Sequence, residues 1–291
     1  MNQRIINLYD RFTHGGMSRR DFLDRLAELA GSTAAAAALL PLLQNNYAQA
    51  AIVPPDDARL NAQRVSFDSS KGKVSGYLVR LKGSVHRPAV VVIHENRGLN
   101  PHLEDVARRL ALSGFLALAV DLLSVSGGTP ADEDKARETH EKTNREDMIA
   151  EAVAAVSFLK THAESTGKVG AVGFCFGGGV VNRMATDSPL LDAAVPYYGA
   201  QPAADKVAAI KAPLLLQYAG MDDNINKGIE AFEAALKANN KRYTKYTYEG
   251  AQHAFNNDTN AARYNKPAAD LAWGRTVGFF KETLGVPPNA A

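Results

Sequence analysis

Cysteine is nearly absent from this chain. One residue, Cys175, stands among 291, so no intramolecular disulfide can form and no Cys/His cluster of zinc-site spacing exists. His94-Glu95 begins as a zincin helix begins, but Gly98 occupies the place of the second histidine in H-E-x-x-H. A GxGxxG dinucleotide loop is also missing. No structural metal and no dinucleotide loop are expected. Charge of one sign is scarce too. The formal net charge is +2, too small and too evenly spread to favour nucleic acid or an anionic membrane surface. Long apolar runs are lacking, the Ala/Leu-rich stretch from Leu29 to Leu43 being too short and too weakly hydrophobic for a good transmembrane span. A stable membrane anchor is therefore not expected, and composition leaves the oligomeric state open.

What remains is ordinary globular material, 46% hydrophobic and 22% charged. Three parts are expected: residues 1–50, a linker at 51–62 with Pro54-Pro55-Asp56-Asp57, and one large domain at 63–291. Ser18-Arg19-Arg20-Asp21-Phe22-Leu23 resembles a twin-arginine export signal, and Ala48-Gln49-Ala50 supplies a small-x-small cleavage pattern ahead of Ala51. These features predict export to the periplasm. The same residues also read as an amphipathic helical arm of a cytoplasmic protein, with Ile5, Leu8 and Phe12 at helical spacing and Phe22, Leu26 and Leu29 likewise.

From residue 63 the pattern becomes strand–helix alternation. Residues 63–68 and 74–80 alternate as two strands around a Ser-Ser-Lys-Gly turn. Ala89-Val90-Val91-Val92-Ile93 is a continuous β-branched run, as a strand buried on both faces requires. Further strands are predicted at 115–120, 169–174, 193–198, 214–218 and 243–248. Helices are expected at 103–112, 148–159, 177–185, 229–236 and 271–284. This order predicts an α/β fold, a mostly parallel sheet with helices on both faces and the opening hairpin as its antiparallel edge. Ligands of such sheets sit at the carboxyl ends of the strands.

Four motifs lie at those ends. Gly173-Phe174-Cys175-Phe176-Gly177-Gly178 leaves a buried strand and opens a helix, as the G-x-nucleophile-x-G elbow does, with cysteine in place of serine. The helix N-terminus favours thiolate at Cys175, and the Phe176 N–H is a candidate oxyanion donor. A buried, inert cysteine in a Gly-rich turn is the other reading. Gly220-Met221-Asp222-Asp223 ends a second buried strand and offers two aspartates able to orient a histidine. Gly250-Ala251-Gln252-His253 ends a third and offers that histidine as proton carrier. The order nucleophile, acid, histidine is the α/β-hydrolase order. At the first buried strand, His94-Glu95-Asn96-Arg97-Gly98-Leu99-Asn100 places the Asn96 N–H as second oxyanion donor. Glu95 there is either an acceptor for the thiol proton or a local ion-pair partner of Arg97.

Together these motifs resemble the dienelactone hydrolase (carboxymethylenebutenolidase) family over roughly residues 65–285. The Glu95 segment resembles its Q/H-E-x-x-G-x-N signature, the Cys175 segment its G-Y/F-C-x-G-G elbow, and Val195-Pro196-Tyr197-Tyr198-Gly199 its Y-Y-G strand end. Gly220-Met221-Asp222 and Gly250 to Phe255 resemble its acid and histidine loops. The resemblance implies the α/β-hydrolase fold, cleavage of a small-molecule ester or lactone, and no cofactor or metal. It selects Asp222 over Asp223, makes Cys175 the nucleophile, Glu95 its deprotonation partner and His253 the base, and brings Tyr198 near substrate. The family's carboxylate-binding arginines have no counterpart in Asp121-Leu122-Leu123-Ser124-Val125 or Ala254-Phe255-Asn256-Asn257, which leaves Arg97 as the candidate substitute. A general carboxylesterase on the same triad is the rival activity. A redox-reactive thiol is the rival outside hydrolysis, although Cys175 has no resolving partner.

Overall fold

The computed structural model of the protein describes residues 2–13, 16–47, 51–83 and 86–286. The β-branched run stands where both faces of a sheet are covered. Strand β3 (Arg87–Ile93) is flanked by β4 (Leu116–Asp121) and β5 (Ser165–Phe174), both parallel to it. On one face Val91 and Ile93 join a core with Met148, Ile149, Val180, Val181, Phe232 and Leu236. On the other face Val90 and Val92 meet Leu103, Val106, Leu110, Phe115 and Phe280. Alternate residues of one strand thus feed two cores, each fully buried valine contributing about 1.5–3 kcal/mol.

The sheet has eight strands. Before β3 come β1 (Leu60–Ser69) and β2 (Gly72–Leu81), and after β5 come β6 (Ala193–Tyr197), β7 (Leu214–Met221) and β8 (Tyr243–Gln252). Their order is β1-β2-β4-β3-β5-β6-β7-β8. The β1–β2 hairpin pairs antiparallel and β2 joins β4 antiparallel. The other pairings are parallel. The chain leaves β3 for β4 on one side and later returns to place β5 on the other. That reversal opens the crevice in which doubly wound sheets bind ligands.

The helices that cover this sheet are α4 (Pro101–Leu112), α5 (Glu133–Lys142), α6 (Arg145–Thr161), α7 (Phe176–Asp187), the single turn α8 (Asp223–Asn226), α9 (Ile229–Ala238) and α10 (Lys266–Leu284). The expected α/β class and the antiparallel hairpin edge are present. Helix α5 lies where no helix was expected, and most element ends run a few residues beyond the expected bounds. Helix α5 has almost no apolar stripe to announce it. It starts because the Asp132 side chain accepts from the Lys135 N–H, capping the first turn. Helix α10 begins at Asn265-Lys266-Pro267, a cap followed by proline in the first turn, ahead of the apolar pattern at Leu271. The expected linker at 51–62 is partly anchored. The Val53 N–H donates to Asp105 at 2.8 Å, Arg108 Nε donates to the Val53 carbonyl at 2.7 Å, and β1 already starts at Leu60.

The N-terminal residues fold as α1 (Gln3–Thr13), α2 (Arg19–Ala30) and α3 (Thr33–Leu43). Ser18 and Ser32 cap the second and third helices, and Gly31 turns between them at φ +86°. These two helices are bent 112° apart, and no single helix among the described residues is long and apolar enough to cross a membrane. Ile5, Leu8, Tyr9, Phe12, Phe22, Leu26 and Leu43 bury one another, with the Phe12 and Phe22 rings stacked at 4.5 Å. Ala48-Gln49-Ala50 lies outside the described residues.

A test follows from how closely β3 and α7 approach. A Cβ on Gly177 would stand 2.5 Å from the carbonyl oxygens of Ile93 and His94. Gly177→Ala should therefore cost at least about 1–3 kcal/mol in urea unfolding, because rigid backbone has to move. Gly274→Ala, exposed on α10 with nothing within 4 Å of the added carbon, should gain up to about 1 kcal/mol through helix propensity. A neutral Gly177→Ala would contradict the tight approach.

Candidate active site

Cys175 sits between β5 and α7 with φ +56° and ψ −116°, a conformation L residues rarely adopt. The neighbours make it tolerable. A Cβ on Gly173 would fall 2.2 Å from the Gly177 carbonyl oxygen, so strand and helix can cross only where that carbon is missing. The Cys175 N–H donates to the Tyr197 carbonyl at 3.1 Å and its own carbonyl accepts from Gly179 at 3.2 Å. The residue is 9% exposed. Phe176 opens the helix, so its N–H belongs to the first turn that has no intrahelical acceptor.

The register of β7 and β8 places the other two groups. Met221 pairs with Gln252 at the last position of the ladder, so the next residues, Asp222 and His253, leave the sheet side by side. Asp222 Oδ2 lies 2.5 Å from His253 Nδ1, while its Oδ1 accepts from the Ile225 N–H at 3.3 Å and caps α8. Asp222 is buried and Asp223 exposed. Cys175 and His253 line the same cavity and interact there. Burial by itself would lower the basicity of this ring. The interaction with Cys175, the bond to Asp222 and the Asp222 charge outweigh it and hold the imidazole well above its ordinary range.

Glu95 follows β3 and is half-buried. Its Oε2 accepts from Asn257 Nδ2 at 3.0 Å. Asn257 is fixed in turn by its own Oδ1, which accepts from the Thr259 N–H at 3.1 Å and the Thr259 hydroxyl at 2.6 Å. Sequence reasoning missed this residue, because one asparagine in a polar loop carries no pattern. Asn96 donates its side-chain amide to the Thr13 carbonyl of α1. Tyr198 is fully buried at φ +36°, its ring centred 5.0 Å from that of His253. Its ionisation is strongly opposed, by burial first and then by Glu95 and Cys175 nearby. Its hydroxyl has no hydrogen-bond partner among the described residues.

Arg97 requires a correction. It was expected to meet substrate, yet it is 8% exposed and does not line the cavity over Cys175. Its guanidinium donates to the Tyr9 hydroxyl at 3.1 Å and stands 3.5 Å from Glu133. The N-terminal helices capture it. The cations that do reach the cavity, Arg137 and Arg145, come from α5 and α6. Arg137 lies on a charged helix without an apolar period and Arg145 in the polar first turn of α6, so both read from sequence as solvated surface.

The cavity over the sulfur measures about 620 Å³. Cys175, His253, Asn96, Phe176 and Tyr198 line it together with Met148 and Ile225. It is large enough for a small organic molecule and has a mixed polar and apolar wall. A family model described as Dienelactone hydrolase family matches residues 74–284, most of the chain. The chain belongs to the dienelactone hydrolase family. A relative described as "Putative carboxymethylenebutenolidase" from Saccharolobus solfataricus is 30% identical over 257 residues, covering 75% of this chain and 98% of its own. Protein usf of Aquifex pyrophilus is 35% identical, covering 76% and 99%. A crystal structure titled as a putative dienelactone hydrolase from Klebsiella pneumoniae aligns with TM-score 0.68 at 27% identity, over 77% of this chain and 99% of that one. An esterase rPPE mutant aligns over 98% of each chain with TM-score 0.65, a likeness of fold alone at 14% identity. A second family model, described as YqhI-like, matches residues 1–32. As a dienelactone hydrolase family member, the protein is a hydrolase acting on esters or lactones.

The histidine can be followed directly. By NMR titration the His253 midpoint should lie above the ordinary value of about 6.5, and Asp222→Asn should move it down, since a neutral amide no longer favours the imidazolium. The same substitution should lower kcat/KM for p-nitrophenyl acetate by on the order of 10²- to 10⁴-fold, and His253→Ala by more. Asp223→Asn, altering an exposed side chain, should change it by less than about twofold. A severe loss from Asp223→Asn would reassign the acid.

Proposed function

We propose that this hydrolase opens its ester or lactone through Cys175. The thiolate attacks the carbonyl carbon, a C–S bond forms, and the carbonyl π electrons move onto oxygen. The N–H groups of Phe176 and Asn96 receive that oxyanion. When the intermediate collapses the C–O bond breaks and the leaving alkoxide takes a proton from His253. From a lactone it stays tethered to the acyl group. His253, oriented by Asp222, then deprotonates water, which attacks the thioester and frees the carboxylic acid with Cys175 restored. Glu95, steadied by Asn257, shares the handling of the thiol proton, and the Tyr198 hydroxyl meets the substrate oxygen.

The observation that carries this reading is the Asp222–His253 bond opening on the cavity that Cys175 shares, with Cys175 held in a strained strand-to-helix turn. Strain of that kind, about 1–3 kcal/mol, persists where the surroundings impose it and concentrates at functional sites. A general carboxylesterase is the second reading, favoured by the apolar side chains of Met148, Phe176 and Ile225 in the same cavity.

Hydrolysis of a panel of aryl esters and five-membered lactones by wild type and Cys175→Ala tests both readings. Cys175→Ala should lose on the order of 10³-fold or more in kcat while keeping the melting profile of the parent, and Cys175→Ser should keep little activity. Faster turnover of lactones supports a dienelactone hydrolase-like activity at Cys175, and faster turnover of aryl esters a general carboxylesterase on the same residues. Wild-type rates from Cys175→Ala would remove Cys175 from the chemistry. Glu95→Gln should lower kcat and displace the acid limb of the pH profile, and an unchanged profile would make Glu95 a structural residue only.

A further inference from the structure

The three N-terminal helices stand over the carboxyl ends of the strands, where the site is. Their contacts spread across several of the loops that build it. The Gln3 and Gln252 side-chain amides exchange hydrogen bonds of 2.9 and 2.6 Å next to His253. Asp10 accepts from Arg263 at 3.3 Å, and the Tyr9 hydroxyl accepts from buried Arg97 at 3.1 Å. The Leu43 carbonyl accepts from Asn260 at 2.7 Å, and the Asn46 N–H donates to Thr259 at 2.8 Å. Arg137, which lines the cavity, lies over the Phe12 ring at 4.9 Å. Thr13, the last residue of α1, is itself part of the cavity wall, and its carbonyl holds the side chain of Asn96.

We propose that the N-terminal helical arm, residues 3–43, is a resident wall of the active site that limits the size of the group reaching Cys175 and positions the Asn96 loop. The part concerning acyl groups rests on the ester-hydrolase reading above; the wall itself does not. Asn96 joins two roles in one residue. Its side chain is tied to the arm, and its backbone N–H lies on the loop that faces the sulfur. A shift of the arm is transmitted to that N–H without any contact to substrate, which makes Thr13 a positioning residue. The competing use of the same residues is export, in which cleavage after Ala50 discards them. A discarded segment has no need of matched partners for Gln3, Tyr9, Asp10 and Leu43 on the domain it leaves.

The test undocks the arm in the full-length chain. Tyr9→Ala with Asp10→Arg removes the contact to Arg97 and sets like charge against Arg263. Hydrogen exchange over residues 3–13 reports undocking, and protection in β3 and β5 reports that the sheet is intact. Cys175 is then alkylated with iodoacetamide and with pyrenylmaleimide, and p-nitrophenyl acetate and octanoate are hydrolysed in parallel. The ratio of bulky to small reagent should rise at least about tenfold in both pairs, the scale of a steric restriction of a few methylenes, while kcat on acetate falls. A shifted alkylation ratio in an enzyme that hydrolyses neither ester would support the wall and sink the esterase reading alone. Undocking shown by exchange, with both ratios within about twofold of wild type, overturns the proposal. Should the double variant not fold, Thr13→Trp leaves the docking contacts in place and thickens the wall. It should lower the alkylation ratio by at least about tenfold, and an unchanged ratio again overturns the proposal. Native protein whose mass places its first residue at Ala51 would overturn it too.

Discussion

The approach of β5 to α7 leaves no room for a Cβ at Gly173, just before the turn, and the rest of the site is measured from that constraint. Cys175 accepts a positive φ because strand, turn and helix cross where Gly173 and Gly177 carry no Cβ. The turn is pinned from the neighbouring strand by the Tyr197 carbonyl. Once it is made, the sulfur and the first N–H groups of α7 share one small volume. The parallel ladder does the equivalent work for the acid and the histidine. With Met221 paired to Gln252, the two residues that follow have little freedom but to emerge together. A one-residue slip in either strand would send one of them to the opposite face.

Much of this was legible in the sequence because the physics is local. A strand covered on both faces needs an unbroken β-branched run, and residues 89–93 supply one. A turn with no space for side chains needs glycines at fixed offsets from its central residue, and Gly173 and Gly177 stand there. The choice between Asp222 and Asp223 was different. Spacing left both open, resemblance to a family favoured the first, and the geometry shows the first buried against His253 and the second in solvent.

The rest depends on contacts between residues far apart in the chain. Asn257 holds Glu95 across 162 positions, and nothing near either residue announces it. Arg97 was a candidate for the substrate or for an ion pair with Glu95, and the sequence does not reveal that Tyr9 and Glu133 take it up. Helix α5 has a polar composition suited to a solvated surface, yet it brings Arg137 to the cavity. The N-terminal residues admitted two readings since an amphipathic arm and a mild export signal share a composition. Only the buried aromatic cluster around Phe12 and Phe22, with its hydrogen bonds to the domain, distinguishes an arm packed on the fold from a segment merely preceding it.

The sequence separation of the arm from its partners has a consequence for biosynthesis. Gln3 meets Gln252, Asp10 meets Arg263 and Leu43 meets Asn260, so these helices bind surfaces made more than 200 residues after them. At ordinary elongation rates of about 5–20 residues per second, that interval is roughly 10–50 s. Through it the groups that fasten the arm to the domain, Gln3, Asp10 and the Leu43 carbonyl, lack their partners, although Phe12, Phe22 and Leu26 can already bury one another. The arm therefore seats late, and the cavity over Cys175 gains its Thr13 side only after residues 252–263 have been made.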